Sequence, residues 1–131
     1  MSTDKIADLL TRIRNAYLAK RKQVVAPYSR LKEEIVKILV AEKYLESYQV
    51  EKDEAGFKQL VMVLKYVDGK PVLHQLKRIS KPGLRIYTPS HKITPVLSGY
   101  GISLISTSKG LMTNKQAKKQ NLGGEVLCEL W

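Results

Sequence analysis

Apolar residues recur twice at helical spacing and then twice at strand spacing, and this change of period constrains the first half of the chain more than any other feature. Ile6, Leu9, Leu10, Ile13 and Tyr17 follow Thr3 and Asp4, either of which can accept hydrogen bonds from the first free amides, so a capped helix starts there. "QVVAPYS" reads as a short strand broken by Pro27. Ser29 is placed to cap a second helix, with Leu31, Ile35, Ile38 and Leu39 on its buried stripe and its end near Glu42. "YLESYQVE" and "FKQLVMVLKYV" alternate as two strands joined by the polar turn "KDEAG". Helix, strand, helix, strand, strand is an order that packs two helices on one face of a small sheet.

The turn "VDGKP" coincides with a shift in charge, and the chain is divided there into lobes 1–68 and 69–131. In the second lobe "VLHQLKRIS", "LRIY", "ISLIST" and "EVLCELW" read as strands. "TPSHKITPVLSGYG" is a loop with at most a brief helix between Thr94 and Ser98. Thr113 caps a helix through Lys119, which Gly123 and Gly124 end. The fold class is α/β in the broad sense, α+β in detail: an N-terminal helix-strand-helix-strand-strand lobe and a mostly β C-terminal lobe with short helices.

A chain of 131 residues, 44% hydrophobic and 27% charged, is long enough for this architecture and ordinary in composition. Its net charge is +11. Met1–Asp68 holds 13 basic and 10 acidic residues, Gly69–Trp131 holds 10 and 2, and no Asp or Glu occurs between Gly69 and Gly124. Local ion pairs cannot cancel such a field, so a polyanionic partner is expected, bound through counterion release. No apolar run approaches the roughly 20 residues that span a bilayer, and "MSTDKIADLL" lacks the layout of a secretory signal, so a cytoplasmic protein is expected. One Cys and two distant His residues give no metal-ligand spacing, and no cofactor motif is present.

The stretch "STSKG", Ser106, Thr107, Ser108, Lys109 and Gly110, is expected to lie between a strand and a helix. Hydroxyls and outward amides there can meet phosphate oxygens, ribose hydroxyls and base edges; read alone, such hydroxyls more often bond their own backbone. Lys115, Lys118 and Lys119 share one face of the following helix, whose N-terminus adds positive charge. "KRISKPGLRIY" gathers Lys77, Arg78, Lys81 and Arg85 before Tyr87, which either stacks on a base or belongs to the core. Arg12, Arg14 and Asn15 offer a second basic contact or a merely solvated helix face. Glu125 can accept from a base, orient lysines and hydroxyls, or be a plain surface acid. His74 and His91 lack partners for acid-base chemistry, and Cys128 suits a buried position better than nucleophilic work.

Together "ADLLTRIRNAY", "RISKPGLRIY", "STSKGLMT" and "NLGGEVLCELW" resemble the bacterial-type ribosomal protein S8 family, from Thr3 to Trp131. The resemblance implies a two-lobed, non-enzymatic constituent of the small ribosomal subunit. Such a protein binds the central domain of small-subunit ribosomal RNA directly and helps organise assembly. It implies a principal RNA contact through the hydroxyl loop, Tyr87 and Glu125, and an auxiliary contact through Thr3, Arg12, Arg14, Asn15, Ser29 and Lys32. It further implies neighbouring small-subunit proteins as partners, a monomer off the ribosome, and repression of translation through a similar stem in the operon's own messenger RNA. Lys5 stands where a Pro commonly opens the first helix, and Asn114 where an Asp often follows the Thr. Two rivals lack support: an enzyme acting on a phosphorylated small molecule has no catalytic constellation, and a membrane-docking protein would need a basic amphipathic helix with an aromatic face.

Overall fold

The computed structural model describes residues 4–131 and contains two compact units, Lys5–Leu73 and His74–Trp131, with Asp4 belonging to the second. Both combine helices with antiparallel strands, so the fold is α+β. The division follows Leu73, five residues beyond the turn at which the sequence divides by charge.

In the first unit, helices α1 (Lys5–Leu18) and α2 (Arg30–Ala41) accompany strands β1 (Gln23–Pro27), β2 (Ser47–Lys52) and β3 (Lys58–Val63). The strands run antiparallel in the order β1-β3-β2. Helix α1 buries Ile6, Leu9, Leu10, Ile13, Ala16 and Tyr17, the stripe that its spacing predicts. The Tyr17 hydroxyl donates to the Tyr44 carbonyl at 2.6 Å and accepts from the Lys65 amide at 3.1 Å. Pro27 ends β1, an edge strand where its missing N–H costs no ladder bond.

Ser29 caps α2, accepting from the Lys32 amide at 3.2 Å. The buried stripe of α2 is Lys32, Ile35, Val36 and Leu39, while Leu31 is 41% exposed and Ile38 only half-buried. A count of apolar residues misplaces the stripe because the aliphatic stem of Lys32 occupies an inward position. The long strand expected over Phe57–Val67 is interrupted. The Leu64 amide bonds Lys22 and the Lys65 amide bonds Tyr17. The chain resumes as a small hairpin, β4 (Tyr66–Val67) and β5 (Lys70–Pro71), whose turn residues Asp68 and Gly69 have φ of +52° and +76°. Two successive positive values make a type I′ turn, which matches strand twist.

The second unit contains β6 (Leu76–Arg78), β7 (Tyr87–Thr88), β8 (Ile102–Thr107), β9 (Gly110–Thr113), α3 (Asn114–Lys119) and β10 (Gly124–Leu130). Its sheet runs β6-β10-β8-β9, and β7 also pairs with β10. The strands expected around Leu76 and Tyr87 are thus short. A single 3-10 turn, Ser90–Lys92, and a left-handed turn at Leu97 and Ser98 (φ +46° and +54°) replace the brief helix expected between Thr94 and Ser98. Ile93, Ile105, Met112 and Ala117 form a buried cluster with Leu122 packed against it, which places α3 on the sheet face that carries Ile105.

Among the described residues all three α-helices end on a non-glycine residue in the left-handed region: Lys20 (φ +54°), Lys43 (φ +65°) and Asn121 (φ +57°). After α3 the Leu122 amide bonds the Ala117 carbonyl and the Asn121 amide bonds that of Lys118, a Schellman ending. Asn121, not the glycine pair, therefore terminates α3. The glycines serve close strand approach instead: a Cβ on Gly123 would collide with the Thr88 carbonyl, and one on Gly124 with that of Ser106.

Three outcomes follow for stability. Lys43→Gly removes a left-handed side chain and should raise stability by about 1 kcal/mol in urea denaturation. Gly124→Ala forces a Cβ into backbone and should cost about 3 kcal/mol. Glu33 accepts from the hydroxyls of Tyr28 at 2.9 Å and Tyr48 at 3.0 Å, which holds its carboxyl below the ordinary value of 4.5. A carboxyl lowered by folding adds stability above its unfolded value and loses it as pH falls through the folded one. Glu33→Gln should therefore lower stability above about pH 4.5, where the carboxylate accepts both hydroxyls, and converge on the parent as pH falls below it, as thermal melts at stepped pH will show.

Candidate nucleic-acid interface

Strand register brings three of the expected site residues side by side. On β10, Glu125 lies opposite Ser106 of β8 on one side and opposite Tyr87 of β7 on the other. Directly opposed residues of antiparallel strands project from the same face, with Cβ atoms about 5 Å apart. A bulge sets this alignment. Val126 pairs with Ile105 and Cys128 with Leu104, so β10 carries one extra residue, Leu127. Strict pairing back from Cys128 would put Val126 beside Ser106; the extra residue puts Glu125 there instead.

Glu125 is held from below. Fully buried Ser80 donates its hydroxyl to Oε2 at 2.6 Å, and Arg85 Nη1 donates to the same oxygen at 3.1 Å. The Ser80 oxygen also accepts from the Ile86 amide at 2.9 Å. The Glu125 side chain is 17% exposed and that of Arg85 49%, while Tyr87 is 70% exposed and so is no core tyrosine.

The stretch "STSKG" is the tip of the β8–β9 hairpin and not a strand-to-helix loop. Thr107 closes the turn: its hydroxyl donates to the Gly110 carbonyl at 2.7 Å and accepts from the Lys109 amide at 3.1 Å. Gly110 has φ of +110°, which a side chain would strain. One of the three hydroxyls therefore serves its own backbone, and Ser106, Ser108 and Lys109 remain exposed. Strand β9 separates this tip from α3 by three residues, roughly 10 Å of strand, so the helix N-terminus does not stand beside the hydroxyls.

Thr113 caps α3 in a reciprocal pair with Gln116. Lys115 donates to the Gly99 carbonyl at 3.4 Å and Lys118 to that of Ile93 at 3.2 Å. Both lie on the helix that packs against the Ile105 face, whereas Ser106 and Glu125 project from the other. Asn114 is buried, accepting from the Ser103 amide and donating to the Thr94 carbonyl, so it holds the loop and does not cap the helix.

In the first unit, Arg12 pairs with Asp8 at 3.0 Å and donates to the Val25 carbonyl at 3.1 Å. Asn15 is exposed and Arg14 half-buried. Ser29 is engaged as the α2 cap, and Lys32 is buried with its ammonium on the Pro27 carbonyl, its pKa lowered by desolvation. Thr3 lies outside the described residues.

Burial pushes the Cys128 thiol up to about 12, which leaves no thiolate for chemistry at neutral pH. Among the described residues no group of three or more His, Cys, Asp or Glu side chains could hold a metal ion, and no helix is long and apolar enough to cross a membrane. Ser80 is the site residue that sequence reading passed over. Its signal was slight, a hydroxyl before the "KPG" turn in "RISKPGLRIY".

The family model for ribosomal protein S8 matches residues 4–131. The small ribosomal subunit protein uS8 of Clostridioides difficile (strain 630) is 50% identical over 131 residues, covering 98% of each chain. That of Nitratidesulfovibrio vulgaris (strain DP4) is 49% identical over 131 residues and 100% of both chains, and that of Mycoplasmopsis synoviae (strain 53) 49% identical over 129 residues and 98% of both. With the family matched along the whole described chain, this protein belongs to the ribosomal protein S8 family.

Proposed function

We propose that this chain binds the central domain of small-subunit ribosomal RNA directly, through its second unit, and so helps organise subunit assembly. It is a non-enzymatic, structural member of a cytoplasmic ribonucleoprotein, the small ribosomal subunit. The observation that carries the RNA reading is the row Ser106, Glu125 and Tyr87 beside the exposed hairpin tip, within a segment whose span from Gly69 to Gly124 has no acid. Phosphate attraction and shape reading are thereby divided. Lys109 and the other exposed cations supply a salt-dependent hold on backbone phosphates, as any basic surface does. Ser106, Ser108, Glu125 and the face of Tyr87 offer hydrogen bonds and stacking to an accessible groove or an unpaired base, as RNA recognition requires.

The first unit is an auxiliary contact, through Arg12, Arg14 and Asn15, with Ser29 and Lys32 at the start of α2. Lys115 and Lys118 belong to the basic field on the Ile105 face. Neighbouring small-subunit proteins complete its surroundings on the ribosome, and off it the protein is a monomer. A messenger stem of the same shape, in its own operon, occupies the same surface and represses translation.

Footprinting on naked small-subunit ribosomal RNA should protect one discrete stem in the central domain. In titrations with that stem, Ser108→Ala should weaken binding roughly tenfold, about 1.4 kcal/mol for one lost hydrogen bond, and leave random RNA binding unchanged. Lys109→Ala should weaken both RNAs and reduce the salt slope by about one phosphate contact. Equal losses from Ser108→Ala on both RNAs would remove the hairpin tip from recognition.

A further inference from the structure

We propose that Ser80 and Arg85 are positioning residues that pin one oxygen of Glu125, so that the other acts as a fixed acceptor for a donor group on RNA. That donor is a ribose 2′-hydroxyl or a base amino group. The inference rests on the RNA-binding reading above and deepens it at one atom.

A carboxylate has two oxygens, each able to accept about two hydrogen bonds. Here both donors converge on Oε2, Ser80 at 2.6 Å and Arg85 at 3.1 Å. Among the described residues no hydrogen bond falls on Oε1. Ser80 cannot turn elsewhere: it is fully buried, and its oxygen already accepts from the Ile86 amide, so its own proton goes to Glu125. Ile86 lies between Arg85 and Tyr87, so the same buried hydroxyl also holds the segment that carries the exposed ring. Arg85 can only donate, and its charge offsets that of Glu125, which lets an acid stand in a surface built for a polyanion.

This arrangement makes the usual isosteric substitution informative. In Glu125→Gln the amide oxygen must face Ser80 and Arg85, because an amide NH₂ cannot satisfy two donors. The NH₂ is then turned to where Oε1 stood, and an acceptor becomes a donor against a donor. Removing a negative charge should help RNA binding in general, so specific and general binding move in opposite directions.

The test uses the full chain, a synthetic hairpin of the footprinted stem, and a random-sequence hairpin of equal length. Glu125→Gln should lose roughly ten- to a hundredfold on the stem, at least as much as Glu125→Ala, and bind the random hairpin as well as or better than the parent. Ser80→Ala should weaken stem binding in the parent and add nothing in the Glu125→Ala background, the mark of a residue acting through another. Stems carrying single 2′-deoxy or single inosine-for-guanosine changes then distinguish the two donors. The change that weakens the parent but not Glu125→Ala names the group.

If Glu125→Gln binds the stem like the parent while Glu125→Ala is weakened, the pinned orientation is wrong and the RNA reading stands. Equal losses from Ser80→Ala in both backgrounds also overturn it, since Ser80 would then act through the fold. If Glu125→Ala and Ser108→Ala both bind the stem like the parent, the RNA reading itself fails and takes the inference with it.

Discussion

Strand β10 organises the second unit: β6, β7 and β8 all bond to it directly, and β9 reaches it through β8. Two features of that one strand decide what the sheet can present. Its first residue, Gly124, and Gly123 just before it let the backbones of Ser106 and Thr88 come closer than any side chain would allow. Its bulge then shifts the alternation by one residue, so that a carboxylate emerges where an even ladder would put a valine. Close approach supplies the narrow row of three strands, and the bulge supplies its central group. Neither would place Ser106, Glu125 and Tyr87 together alone.

The same economy separates holding groups from presenting ones. Thr107 folds its hydroxyl into the turn, while Ser106 and Ser108 on either side of it stay exposed. Ser80 is buried so that Glu125 need not be mobile, and Arg85 spends its charge on that acid before it meets any phosphate. Lys115 and Lys118 bond carbonyls of the segment that leads into β8. Basic residues in this unit are therefore not interchangeable. Some set the field, and others set the geometry.

Much of this was legible in the residues. Period alone located α1, the Ser29 cap identified the start of α2, and the acid-free span lies almost wholly in the unit that carries the proposed surface. The misplacements share one cause, which is that local pattern does not report partners distant in sequence. Lys32 looked polar yet lies inward along its stem; the glycine pair looked like a helix stop, but its neighbours are Thr88 and Ser106. "STSKG" looked like a loop before a helix because β9, four residues long, is too short to announce itself. Ser80 was invisible for a stronger reason: its partner is 45 residues away, across a strand pairing that no period encodes.

These long-range placements also explain why the short motif carries so much of the family resemblance and so little of the physics by itself. A hairpin tip with two free hydroxyls is common chemistry, able to meet any phosphate or ribose that approaches. What limits the approach is the rigid row behind it, where a ring, a pinned carboxylate and a serine stand at spacings fixed by backbone hydrogen bonds. A mobile carboxylate on a basic surface would turn toward the nearest lysine and repel the ligand. One fixed by two donors can do neither, and on the proposed reading its remaining lone pairs are a requirement for any RNA that binds there. If the surface binds RNA as proposed, specificity comes from the groups that are denied movement, and affinity from those that are left free.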